Sequence, residues 1–480
     1  MAEKNQGRMG VARHRATLLG LSLLFALLFI HCGKTGTEPG GPEIPTKLYP
    51  YEIAYDSAAF KSRRDRLAQS LPPGSAIVLA THELFLRNGD VQFVFRPAST
   101  FYYLTGFEEA NAAAIIRPRG DSGSEFILFV GERDSAATQL LGPAIRTSEA
   151  MKYFGADTAY GIASLPTYIQ ANLAAGQTQA IYSNASDNEA FATTLDSAVN
   201  GVQVLDVIPK VDSLRFIKDE REIQLIQKSV DVSVQAFKEG IRSVKAGKYE
   251  FEVEAVFDLV SRLNGCPRTA FTTIIASGPN SETIHYTANN RQMRAGDLVL
   301  IDFGTEYGYY AADLARTVPV NGAFTPEQAA VYDIILKTQD SVMSLVKPGV
   351  DFYGLFKTSA SLLIEGLLRQ GVISGDKDEI MASNRYLEYA PTGLGHPVGL
   401  DVHDPVAFNP EGIPVLSEGV ILALEPGIYL KSNDLSVTEG YRGICIRLED
   451  DVRVTASGYE LLSRDLPRAR EEIEALVRGK

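Results

Sequence analysis

Two aspartates eleven residues apart, Asp302 and Asp313, flank a turn signal in a strongly β-patterned stretch. Residues 298–313 read Leu-Val-Leu-Ile-Asp-Phe-Gly-Thr-Glu-Tyr-Gly-Tyr-Tyr-Ala-Ala-Asp, with apolar and aromatic residues on both sides of Tyr307 and Gly308. Such a pattern predicts a hairpin. With Tyr307 and Gly308 as its loop, Glu306 faces Tyr309 and Asp302 faces Asp313. The two carboxylates then project from one face with Cβ atoms roughly 4.5–5.5 Å apart. Buried like charges at that distance are unfavourable unless a proton or a cation lies between them. Ordinary turn-flanking aspartates are the alternative. A shared metal site is the reading that explains the pair.

The histidines point the same way. Of six in the chain, His14 and His31 lie near the N-terminus, and three of the other four, His285, His396 and His403, share the C-terminal half with the aspartates. His396 and His403 sit seven apart in Pro-Thr-Gly-Leu-Gly-His-Pro-Val-Gly-Leu-Asp-Val-His-Asp, residues 391–404. Its glycines let backbone come close to a ligand. A buried-type strand, Val420 to Leu424, then ends in Glu425 before a Pro-Gly turn. Finally, alternation along 444–449 puts Cys445, Arg447 and Glu449 on one face. Each feature alone has an ordinary reading, such as a surface ion pair or a solvated strand-end glutamate.

Taken in order, these motifs resemble the metallopeptidases of the pita-bread fold (M24 type), a family that includes methionine aminopeptidase, prolidase and aminopeptidase P. The resemblance runs from about Asp212 to Leu466. It implies five metal ligands, Asp302, Asp313, His396, Glu425 and Glu449, with Asp313 and Glu449 bridging. It also implies an α+β catalytic domain whose helices cover a curved antiparallel sheet. Four carboxylates and one imidazole suit hard divalent ions such as Mn²⁺, with Co²⁺ and Zn²⁺ as alternatives. Two such ions roughly 3.5–4 Å apart can hold one hydroxide between them and polarise a carbonyl. Glu425 is the candidate general base beside that water. His285 is expected to meet the substrate and the scissile nitrogen, and His403 to donate to the tetrahedral intermediate. Arg447 is expected to orient Asp302 or another carboxylate. One position departs from the pattern. Aminopeptidase P and prolidase usually carry histidine four residues before the ligand histidine, where this chain has Thr392. A threonine cannot be a cation and reaches less far, which bears on the substrate side of the site.

The rest of the chain sets limits. At 480 residues, with 45% apolar and 22% charged residues, it can hold two or more globular domains. Its formal charge is −13, and without residues 1–31 there remain 42 basic and 58 acidic residues, or −16. With no basic stripe this excludes nucleic acid as a natural partner. Arg8, Arg13, His14 and Arg15 precede an apolar run from Ala16 to Ile30, the pattern of a secretory signal. Cys32 then resembles the lipidated first residue of a bacterial lipoprotein, although His31 departs from the small residue usual there. A signal anchor that stays uncleaved is the alternative. The expected organisation is a signal peptide over 1–31 and a Gly/Pro-rich tether over 32–48. An α/β N-terminal domain over 49–207 and the catalytic domain over 208–480 follow. The protein is therefore expected to be exported, periplasmic or at the cell surface, touching membrane only through Cys32. Cys266 and Cys445 do not make a disulfide framework.

Within the N-terminal domain, 75–80, 113–116, 126–130 and 180–182 are expected strands, and 58–69 and 189–198 expected helices. The aromatic stretch 96–107 resembles the N-terminal domain of aminopeptidase P more than that of prolidase, and its aromatics are expected in the core. In that family the domain helps close the site and build a homo-oligomer. The leading functional expectation is a two-metal exopeptidase acting on peptides with proline at the second position. The alternatives are an Xaa-Pro dipeptidase and a tethered binding protein that has lost turnover.

Overall fold

The central strand of the N-terminal domain, Ser75–Ala80, is buried at every position, as its unbroken apolar run requires. In the computed structural model, which describes residues 57–174 and 178–479, it lies inside a six-stranded sheet. Across that sheet the strands are Thr158–Gly161, Ser124–Val130, Ala113–Pro118, Ser75–Ala80, Ala180–Ser183 and Gln203–Asp206. Ser75–Ala80 pairs antiparallel with Ala113–Pro118 and parallel with Ala180–Ser183. The expected strands and the helices Ser57–Gln69 and Glu189–Ala198 are present. Thr158–Gly161 and Gln203–Asp206 were not anticipated; both are partly exposed edge strands with little apolar pattern. The aromatic stretch forms the helix Ser99–Thr105, with Phe101, Tyr103 and Leu104 in the core. The leader, Cys32 and the tether lie outside the described residues. Among the described residues no helix is long and apolar enough to cross a membrane.

The second half opens with the helix Glu220–Ser243, set by a capping box. The Asp219 carboxylate accepts from the backbone N–H groups of Arg221 and Glu222, both at 2.9 Å, while Glu222 accepts from Asp219 N–H. Its apolar face, Ile223, Ile226, Val230 and Val234, is buried. The helices Glu250–Leu263, Pro326–Met343 and Phe352–Arg369 follow. Every strand pair in this half is antiparallel. The strands form separate ladders rather than one continuous sheet, and a bridge between Ala315 and Glu449 ties two of them together. Cys266 and Cys445 are free and buried.

The hairpin register differs from the expected one by two residues. Tyr307 pairs with Tyr310, Glu306 with Ala311 and Asp302 with Ala315. The loop is therefore Gly308 and Tyr309, at φ 58° and 71°. Positive φ at both central residues is the two-residue turn whose twist matches paired strands. A tyrosine resists that backbone region. Here long-range packing holds it: the Tyr309 ring is buried, 4.5 Å from the Tyr102 ring, with the Arg268 guanidinium 5.0 Å from its centre. Asp313 is consequently the diagonal neighbour of Asp302 rather than its direct partner. The two still share a face, because the shift is an even number of residues. At Gly304 the two arms approach so closely that a Cβ would lie 1.6 Å from the Ala312 carbonyl oxygen.

Candidate metal centre

The five expected ligands come from five different segments. Asp302 lies in the strand Leu298–Phe303, and Asp313 directly precedes Leu314–Pro319. His396 is in Gly395–Pro397, opposite Ala423. Glu425 follows Ile421–Leu424, its N–H held at 2.7 Å by the Leu394 carbonyl. Glu449 sits between Cys445–Arg447 and Asp450–Val454, its N–H 3.0 Å from the Ala315 carbonyl. All five line one cavity of about 700 Å³, together with His285, His403, Arg447 and Thr392. Three overlapping sets bring ligand atoms within 4.8 Å of one another: Asp302, Asp313 and Glu449; His396, Glu425 and Glu449; and Asp313, His396 and His403.

The hydrogen bonds leave the right atoms free. His396 Nδ1 lies 3.1 Å from the Pro397 carbonyl. A proton donated there leaves the Nε2 lone pair turned to the cavity, 3.4 Å from Asp313 Oδ2 and 3.8 Å from Glu425 Oε1. Asp302 Oδ1 and Glu449 Oε2 are buried without a hydrogen-bond partner. Unpaired anionic oxygens in the interior are costly, and a cation is the partner that fits both. Two divalent ions would offset four carboxylates. Arg447 borders the set. Its Nη1 donates to Asp302 Oδ2, and its Nε donates to the Tyr429 hydroxyl at 2.9 Å and lies 3.5 Å from Glu425 Oε2.

Without cations the cluster holds protons. Burial, with Asp313 and Glu425 nearby, outweighs Arg447 and pushes Asp302 up to about 8. Burial raises Glu425 as well, and burial with the neighbouring carboxylates raises Glu449 well above the carboxylate range. Burial disfavours the His396 cation, but Asp313 and Glu425 outweigh it and raise the imidazole to about 9. All four folded values lie above their unfolded ones. Their contribution to stability is thus present at low pH and lost as pH rises through the folded values. We expect metal-stripped protein to lose several degrees of Tm between pH 6 and pH 9, read by differential scanning fluorimetry. Added divalent metal should flatten that slope and release protons. An identical slope with and without metal would contradict a cation-binding cluster.

His285 and His403 are exposed to the cavity rather than packed as structural histidines. The His403 ring lies 4.2 Å from that of His396, edge to face. Thr392 lines the same cavity, with its hydroxyl 3.4 Å from the Glu425 carbonyl. Three supporting residues escaped the sequence. Tyr429 accepts from Arg447, and Asp451 accepts from the Asp313 N–H at 3.0 Å. Glu250, fully buried, accepts from Ser277 N–H and hydroxyl, Tyr286 hydroxyl and Arg291 N–H, at 2.6–2.8 Å. That knot fixes both ends of the loop carrying His285. Asp451 alone carried a local signal, its place two residues after Glu449.

Comparison with known proteins covers most of the chain. Residues 224–456 match the family model for metallopeptidase family M24, and residues 60–182 the one for the aminopeptidase P N-terminal domain. The Xaa-Pro aminopeptidase of Escherichia coli is 31% identical over 428 residues, 87% of this chain and 97% of that protein. The structure of aminopeptidase PepP from Pseudomonas aeruginosa superimposes with a TM-score of 0.85 at 31% identity, covering 89% of this chain and 99% of that one. Aminopeptidase P from E. coli with the inhibitor Pro-Leu gives a TM-score of 0.83 at 30% identity, over 88% and 99%.

Proposed function

The chain belongs to metallopeptidase family M24 and is a metal-dependent exopeptidase, and from that premise we propose that it removes the N-terminal residue of peptides with proline second. The observation that carries this reading is the convergence of five candidate ligands and two cavity-facing histidines, in a chain alike over nearly its whole length to Xaa-Pro aminopeptidases.

The physical problem is the bond itself. An Xaa-Pro amide is tertiary and has no N–H, and its conformation is restrained. Asp302, Asp313, His396, Glu425 and Glu449 would hold two divalent ions. When bound, the ions supply Lewis acidity and lower the pKa of water toward neutrality. Glu425, at the edge of the ligand set, takes the proton from the attacking water and keeps it for the leaving group. The leaving proline nitrogen must gain a proton because it has none, and His285, in the wall of the same cavity, is the residue we assign to meet it. His403 donates to the oxygen of the tetrahedral intermediate. Arg447 keeps Asp302 and Glu425 in place through its paired contacts. The oxygen-rich donor set favours Mn²⁺, ahead of Co²⁺ and Zn²⁺.

Sequence and surface also support a reading of location and assembly. The N-terminal leader supports export, with Cys32 as the anchored residue. Phe85, Leu86, Val91, Phe93 and Val94 form an exposed apolar patch on the N-terminal domain, which supports a homo-oligomer.

Peptide length tests the substrate reading. Incubated with Mn²⁺, Xaa-Pro-Pro and longer Xaa-Pro peptides should release one free N-terminal residue, resolved by mass spectrometry. Cleavage of Xaa-Pro dipeptides alone would replace this reading with a dipeptidase.

A further inference from the structure

The segment that carries His403 is an irregular loop. It leaves the strand Gly395–Pro397 and folds back so that Asp404 N–H reaches the Pro397 carbonyl at 2.9 Å. Its inner side wraps one carboxylate. A Cβ on Gly399 would lie 2.5 Å from Asp404 Oδ2, so nothing larger than glycine fits there. Asp404 itself is buried.

The partners of that carboxylate come from the segment joining the two domains, almost two hundred residues earlier. Arg215 Nη2 lies 2.6 Å from Asp404 Oδ1, and Lys218 Nζ 3.0 Å from Asp404 Oδ2. Arg215 also reaches Asp401 Oδ2 at 2.5 Å. The N-terminal domain adds two hydrogen bonds and an ion pair: Ser99 Oγ donates to Asp401 Oδ1 at 2.6 Å, Arg96 donates to the Leu400 carbonyl, and Arg96 Nη2 lies 3.8 Å from Asp401 Oδ1. On the far side the Ala311 N–H holds the Gly399 carbonyl at 2.8 Å. Two cations thus grip Asp404 from different directions, one residue from His403. Neither Arg215 nor Lys218 lines the metal cavity. Arg215 lines instead a neighbouring cavity of about 580 Å³ between the domains, and His403 stands in the walls of both.

Resting on the exopeptidase reading above, we propose that Arg215 and Lys218 are positioning residues: through Asp404 they set the His403 imidazole against the reacting carbonyl. Two paired charges are a stiff device for this. A buried carboxylate cannot move off buried cations without leaving charges unpaired, so the neighbouring backbone cannot drift. The linker and the N-terminal domain then act on chemistry they never touch.

The test is a double-mutant cycle on the full chain with an Xaa-Pro tripeptide. Arg215→Met should lower kcat by about 10- to 100-fold, the scale of an ångström-level misplacement, with KM changed less than about twofold by the same argument. Metal content should match wild type. Arg215→Lys should recover part of the loss. In a His403→Ala background, Arg215→Met should cost little more, because the group it positions is gone. Losses that multiply in the double variant, or an unchanged kcat in Arg215→Met, overturn the proposal. Should Arg215→Met fail to fold, Lys218→Met replaces it in the same cycle, with a kcat loss that again vanishes with His403→Ala. Wild-type protein inactive on every Xaa-Pro peptide overturns the exopeptidase reading and this one together. An active wild type with multiplying losses overturns the positioning role alone.

Discussion

Replacing Asp313 with alanine is expected to lower kcat/KM on an Xaa-Pro peptide by at least about 10³-fold, the upper range for losing one preorganised electrostatic partner. Asp313 is shared by two of the three ligand sets, one with Asp302 and Glu449 and one with His396 and His403. Its loss therefore weakens both halves of the centre. Bound metal, measured by mass spectrometry of the desalted protein, should fall below the two ions per chain expected of wild type. The fold should survive. Asp313 is one of the carboxylates holding Asp302 in its protonated form, so relieving that repulsion should leave the metal-free variant at least as stable as metal-free wild type at pH 8. Unchanged turnover would refute the site, whereas lost activity with lost folding would leave it to the other ligands to decide.

Glu425→Gln should separate proton transfer from metal binding. The amide keeps the shape of the side chain and one oxygen donor but cannot take a proton from water. A lost general base costs about 10²- to 10⁴-fold in kcat. The same variant should keep at least one ion per chain, because Glu425 belongs to only one ligand set, with His396 and Glu449. The acid limb of the wild-type pH–rate profile is expected to report Glu425 and should disappear or move in the variant. Near-wild-type kcat in this variant would shift the base role to another group of the cavity, His285 being the first alternative.

The candidate ligands, which line one cavity, stood out because each closes a short local pattern (an aspartate in each arm of a hairpin, a histidine after glycines, a glutamate at a strand end), and the family resemblance joined them into one set. What failed was the register. Turn choice hung on the backbone of Tyr309, and the sequence around it favours Tyr307 and Gly308 equally well. Tyr102 and Arg268, far away in the chain, decide it by packing on the Tyr309 ring. The error was harmless to the site because a two-residue shift keeps Asp302 and Asp313 on one face. The helices over 58–69 and 189–198 were legible for a similar local reason, the apolar periodicity of each segment. The Arg215, Lys218 and Asp404 cluster was invisible for the opposite reason. Each is an ordinary surface-type residue until the fold buries it, and no local pattern names a partner 186 or more residues away. The short edge strands Thr158–Gly161 and Gln203–Asp206 lacked apolar alternation and so gave no signal.

Metal titration of the stripped protein, followed by hydrolysis of an Xaa-Pro tripeptide, measures the central claim most directly. The account predicts no cleavage without metal, and activity that rises with added Mn²⁺ and levels off at two ions per chain. Cleavage undiminished after chelation, or two ions bound with no cleavage of any Xaa-Pro peptide, would contradict it.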